Sequence, residues 1–177
     1  MEYQIYVVNT QDEENGIWVK FPFDLAEVMN FLGLRPTDTE VLIKSYHLPF
    51  ELSSNGYRML LRLEAYGKAI KEIEGSVLAE NFMAVARAFF GGNPSELLRK
   101  QRYVHHYNIS TYESFAQAYC LFEKQMDKDF LQFVQLDQVA SYLKEKYRLL
   151  MTSSGLFHME AVPFYLGTHK KQEEFRC

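Results

Sequence analysis

The 177-residue chain has only two cysteines, Cys120 and Cys177, lying 57 positions apart with no second pair. Neither a disulfide framework nor a Cys-rich zinc site can be written from them, and a reducing compartment is the simpler expectation. The 9 glycines and 5 prolines fall into no Walker A loop and no G-x-G-x-x-G turn. H-E-x-x-H and G-x-S-x-G are missing as well, so phosphate-cradling, dinucleotide, zincin and esterase chemistries lack their starting residues. No apolar run reaches the ~18 residues of a membrane span. The opening stretch, Met1 to Asn9, has neither the basic start nor the apolar run of a signal peptide, so the expected location is the cytoplasm. Nineteen Lys plus Arg against 23 Asp plus Glu leave a net charge of −4, neither the basic excess of a nucleic-acid binder nor a strong polyanion.

What is present is enough apolar material to fold. Hydrophobic residues make up 47% and charged residues 24%, which excludes wholesale disorder. Tyr and Phe are abundant, at 12 and 14, beside a single Trp. Charge is distributed unevenly. Residues 1–56 hold nine acidic against three basic side chains, net −6, whereas residues 57–106 hold eight basic against five acidic, net +3. The remainder is near balance. The asymmetry predicts three segments with different surfaces.

Residues 1–56 read as a small α+β unit. Tyr3 to Val8 and Ile17 to Phe21 are β-branched and aromatic, two strands of a hairpin turned through the acidic stretch Gln11 to Gly16. Asp24 is placed to cap a helix from Leu25 to Leu32, stopped by Gly33. Val41 to Tyr46 follows as a third strand, and Pro49 ends the segment.

Residues 57–102 read as helical. Met59, Leu63, Tyr66, Ile70 and Ile73 recur at spacings of 4, 3, 4 and 3, predicting one helix from Tyr57 to Glu74. Leu78, Phe82, Val85 and Phe89 predict a second, which folds back on the first and stops at Gly91-Gly92. Asn93-Pro94-Ser95-Glu96 starts a third helix with an N-cap, a proline at N1 and a Glu at N3. Residues 103–167 read as a strand from Tyr103 to Ile109, a helix behind the capping box Ser110-x-x-Glu113, a helix from near Asp137, and a closing hairpin of Leu149 to Met151 with Leu156 to Met159. Phe115, Tyr119, Phe122 and Met126 are expected on one buried face. Residues 168–177 form a polar tail.

Two stretches invite a functional reading. Arg99, Lys100, Arg102, Tyr103, His105, His106 and Tyr107 interleave cations with rings that can pair with phosphates and stack on unpaired bases. The plainer reading is a solvated helix end, favourable to the helix dipole, followed by an aromatic edge strand. Adjacent histidines on a strand point to opposite faces, so His105 and His106 cannot share a metal. A catalytic variant of the first reading uses one of them as general base on an RNA 2′-hydroxyl, with a nearby Lys or Arg steadying the phosphate. Cys120, in mid-helix, reads as a core thiol. The second stretch, Asp12-Glu13-Glu14, reads at face value as a solvated turn.

Three pieces change the weight of that acidic run. Ile5-Tyr6-Val7-Val8-Asn9, Trp18-Val19-Lys20-Phe21-Pro22-Phe23-Asp24 and Tyr46-His47-Leu48-Pro49-Phe50 resemble, in order and spacing, the ArdA-type antirestriction family. Residues 110–159 resemble it more loosely, through Tyr112 to Ala116, the helix around Tyr142, and Ser154 to Phe157. The resemblance implies an anti-defence protein of a phage or mobile element, acting in the cytoplasm of a bacterial host, from a family whose members are elongated and usually homodimeric. Carboxylates stand there in place of DNA phosphates and occupy the cationic groove of a restriction enzyme. The implied surface is Asp12, Glu13, Glu14, Asp24, Glu27, Asp38 and Glu40. No cofactor, metal, membrane or catalytic residue is implied. The chain departs from that pattern where Asn108, Ser110, Gln117, Lys124 and Gln125 stand at positions expected to be acidic. A changed target follows as the alternative: a guide-RNA-loaded CRISPR nuclease, held through protein contacts and through guide RNA at the basic stretch, with guide-RNA cleavage as its enzymatic variant.

Overall fold

The computed structural model describes residues 2–167, which form two compact units, residues 2–101 and 102–167. Both mix helices with a small antiparallel sheet, so the chain is α+β. The tail from residue 168, with Cys177, lies outside the described residues.

In the first unit, β1 (Gln4–Asn9), β2 (Asp12–Lys20) and β3 (Val41–His47) form a sheet in the order β2-β1-β3. Ile5, Val7, Val19 and Ile43 point to the core and are buried, as period-2 alternation requires. The hairpin is tighter than the sequence predicts. Asn9 Oδ1 accepts from Gln11 N at 2.9 Å, so the chain reverses at Thr10-Gln11 and the acidic residues lie on the strand rather than in the turn. Asn supplies that local hydrogen bond, and the register takes up the extra residues between Val8 and Asn9. The outer edge of β3 is closed by a side chain. Asn55 Nδ2 donates to Ile43 O at 2.8 Å, and Asn55 Oδ1 accepts from Ile43 N at 2.7 Å.

Helix α1 (Leu25–Phe31) starts as expected, with Asp24 accepting from Ala26 N and Glu27 N, and buries Leu25, Val28 and Met29. The predicted helix over 57–74 is two, α2 (Tyr57–Ala65) and α3 (Gly67–Glu72). A Cβ on Gly67 would stand 3.2 Å from Pro22 Cα, so the residue that opens α3 is one that leaves room for that backbone. The next predicted helix is also divided, into α4 (Val77–Glu80) and α5 (Phe82–Phe90), by Asn81, whose side chain donates to Val77 O at 2.9 Å. Asn93 caps α6 (Pro94–Lys100) as predicted, and α5 packs chiefly on α6 rather than back on the preceding helix.

In the second unit, β4 (Val104–Tyr107), β5 (Leu149–Thr152) and β6 (Gly155–Met159) form a sheet in the order β4-β6-β5. Helices α7 (Tyr112–Ala118) and α8 (Leu136–Lys146) pack together beside it. Phe115, Tyr119, Leu143, Leu156 and Phe164 are at the centre of this core. The N-cap of α7 is Thr111, which accepts from Ser114 N at 3.0 Å, not Ser110. Past α7 the helix widens to a π turn over Tyr119–Glu123, with Lys124 N donating to Tyr119 O. The added residue per turn carries Phe122 off the core face that the 4-3-4 spacing assigned to it, leaving it 39% exposed while Cys120 is buried. Among the described residues no helix is long and apolar enough to cross a membrane.

Candidate functional site

The acidic residues predicted from the sequence do not all stand free. Asp24 is the N-cap of α1, and Asp38 accepts from Arg35 N at 2.8 Å and lies 3.5 Å from the Arg35 guanidinium. Glu13 is ion-paired with Lys44 of β3. Asp12, Glu14, Glu27 and Glu40 are exposed and, among the described residues, have no ion-pair partner. Asp12, Glu13 and Glu14 open β2, an edge strand whose outer N–H and C=O groups pair with no other strand among the described residues. At Asp12 and Glu14 a cationic partner can approach this edge without displacing a neighbouring cation, while at Glu13 it competes with Lys44.

Pairing across the sheet adds an aromatic patch beside this edge. Tyr6 and Trp18 are cross-strand partners with ring centroids 5.3 Å apart, and the Trp18 ring stacks on His47 at 5.3 Å with a 21° interplanar angle. Gln4 Nε2 lies 3.3 Å from His47 Nδ1. Tyr6 reaches over Gly16, where a Cβ would come within 2.5 Å of the Tyr6 hydroxyl, so the absence of a side chain there lets the ring lie on the sheet. Trp18 is 43% exposed. A partly exposed indole is the preferred aromatic partner for an arginine guanidinium. The sequence pointed to the acids and missed these rings as a group, because Trp18 and His47 meet only through β1.

The basic stretch is brought together less completely. Arg99 donates twice to Glu96, at 2.8 and 2.9 Å, and Lys100 lies 3.4 Å from the same carboxylate. The Arg99 hydrogen bonds hold the Glu96 carboxyl below its ordinary pKa, and the same contact raises that of Arg99. Arg102 folds over the Tyr103 ring, 4.8 Å from its centroid, and donates to its hydroxyl. His105 Nε2 contacts Glu160 O at 2.9 Å, and His106 Nε2 contacts Ser154 O at 2.8 Å. The two histidines pack on different residues of β6, His105 on His158 and His106 on Phe157, as opposite strand faces require. Tyr107 is buried, its hydroxyl accepting from Phe164 N at 2.7 Å, and burial pushes its pKa up to about 12. It belongs to the core and offers no stacking surface, which corrects its assignment to an RNA contact.

Among the described residues no group of three or more His, Cys, Asp or Glu is placed to hold a metal ion. Burial raises the pKa of the Cys120 thiol, the opposite of what a nucleophile needs. Compared with known proteins, the chain matches no family model and no curated sequence.

Proposed function

We propose that the chain is an anti-defence protein of a phage or other mobile element that inhibits a bacterial nuclease by binding it, in the manner of the ArdA-type antirestriction proteins it resembles. The observation that carries this reading is the exposed edge strand β2, which begins with three consecutive carboxylates and continues into Trp18. A nuclease groove lined with Lys and Arg would receive the carboxylates as it receives phosphates, with counterion release on both sides. The indole would add a cation–π contact. Nothing in this reading requires catalysis.

The competing reading, an inhibitor of a guide-RNA-loaded CRISPR nuclease that touches the RNA through the basic stretch, has less support. Two of its cations are already held by Glu96, and Tyr107 is buried. Plasmid or phage survival in strains carrying either a restriction system or a CRISPR nuclease tests both. Replacing Asp12, Glu13 and Glu14 with Asn, Gln and Gln is expected to abolish most of the protection against restriction, while changes at Arg99, Lys100 and Arg102 leave it intact. The reverse pattern would transfer the function to the RNA-contact reading, and protection from neither system would end both.

A further inference from the structure

Within the first unit, a cleft of about 630 Å³ opens between the segment after β3, helix α2 and the turn joining α5 to α6. That volume is in the range of small-molecule sites. Its floor is apolar, made of Phe50, Met59, Leu63 and Leu98, all at least nine-tenths buried. Gly91 and Gly92 leave one wall without side chains.

The rim has a different chemistry. Arg62 and Tyr66, one turn apart on α2 and at its C-cap, stand on one side, with the hydroxyls of Ser53 and Ser95 among the other lining groups. Arg62 is exposed and, among the described residues, has no ion-pair partner, although Glu51 lines the same cleft. This separates it from Arg99, Lys100, Lys71 and Lys44, each of which is held by a carboxylate. The nearby amides at the start of α6 are occupied by Asn93 Oδ1, which accepts from Ser95 N and Glu96 N, so the guanidinium is the group left to receive an anion. Side-chain donors over an apolar floor match a ligand with acceptors at one end and a hydrocarbon body at the other.

From this arrangement we infer that the cleft is a binding site for a small organic anion, a carboxylate or phosphate carried on a ring or short branched apolar body, with Arg62 as its charge partner and Phe50, Met59, Leu63 and Leu98 as the seat of the body. The site is independent of the acidic edge and stands whether or not the chain inhibits a nuclease. Its natural place would be that of an effector or ligand subsite.

Four probes separate the parts of the inference when titrated into the full chain and followed by backbone amide chemical shifts. Benzoate and phenyl phosphate carry both features, benzyl alcohol has the body without the charge, and inorganic phosphate has the charge without the body. Saturable binding of benzoate or phenyl phosphate is expected, with shifts confined to residues 50–53, 59–66 and 91–98, and the tighter of the two identifies the headgroup. Benzyl alcohol and inorganic phosphate should each bind at least about tenfold more weakly. Arg62→Gln should weaken the preferred anion by about tenfold or more, and Arg62→Lys should recover part of the loss, since a charged hydrogen bond is removed and a point charge restored. Arg62 is exposed, so both variants should keep the native circular dichroism and melting transition. No saturation by either anion below about 10 mM, equal affinity in Arg62→Gln, equal affinity for benzyl alcohol, or shifts elsewhere in the chain would each overturn the assignment.

Discussion

His158 on β6 is 1% exposed, and among the described residues neither of its ring nitrogens has a hydrogen-bond partner. Its ring stacks on Phe164 at 4.1 Å, meets Tyr147 edge-on at 5.9 Å, and faces His105 at 6.2 Å. Burial, and then the nearby His105, push its pKa down from 6.5 to about 4. The folded value lies below the unfolded one, so the unfolded chain binds the extra proton between those two pH values. The contribution of His158 to stability is therefore fully present above pH 6.5 and declines as pH falls toward 4, by an amount on the order of 3 kcal/mol. The carboxyls of Glu2, Glu74 and Glu96, held below 4.5 by their Lys or Arg partners, titrate below the interval from 6.5 to 4.5. Urea midpoints measured across that interval should fall with pH in the native protein. In His158→Leu the decline should shrink sharply, because no unpartnered imidazole remains to be protonated; an unchanged slope would assign the effect to another group.

At the scale of single elements, α1 shows how a residue can serve two readings at once. Asp24 belongs to the acidic set, yet its carboxylate accepts from Ala26 N at 2.7 Å and from Glu27 N at 3.3 Å. Asp24→Ala should cost about 1 kcal/mol of stability in chemical denaturation. Asp24→Ser, which can cap without charge, should restore most of it, and only a loss of inhibition that persists in the serine variant would report contact with a partner. The same distinction explains what the sequence made legible. Caps at Asp24 and Asn93 depend on three or four consecutive residues, and they were readable. The helix breaks at Tyr66 and Asn81 were not, since the apolar spacing of 4 and 3 passes through them, and the approach of Gly67 to Pro22 exists only once the chain has folded. The π turn likewise preserves a helical pattern while shifting which side faces the core. The candidate edge was half legible: the carboxylates are contiguous in sequence, but the stack of Trp18 on His47 exists only after β1 has paired with both neighbours.

For the molecule as a whole, the core is organised by unit, whereas the change from acidic to basic sequence falls within the first unit. Leu143 is fully buried among residues of the second unit, so Leu143→Ala should cost about 2–5 kcal/mol. Hydrogen exchange should show the lost protection within residues 102–167; equal loss throughout residues 2–101 would mean that the two cores unfold as one. If the acidic edge is the inhibitory surface, affinity for a nuclease should fall as salt rises, and the Asp12→Asn, Glu13→Gln, Glu14→Gln protein should show a shallower dependence. The Asn55 side chain gives the first sheet a direction. By bonding both backbone groups of Ile43, it occupies the outward-facing pair at that position of β3, so a strand arriving there would have to displace an amide that β2 does not carry. Two copies meeting at β2 would bring Asp12, Glu13 and Glu14 against their own likenesses, and like charges on facing strands repel. The carboxylates thus oppose strand pairing between copies of the chain at the same border that they leave open to a cationic partner.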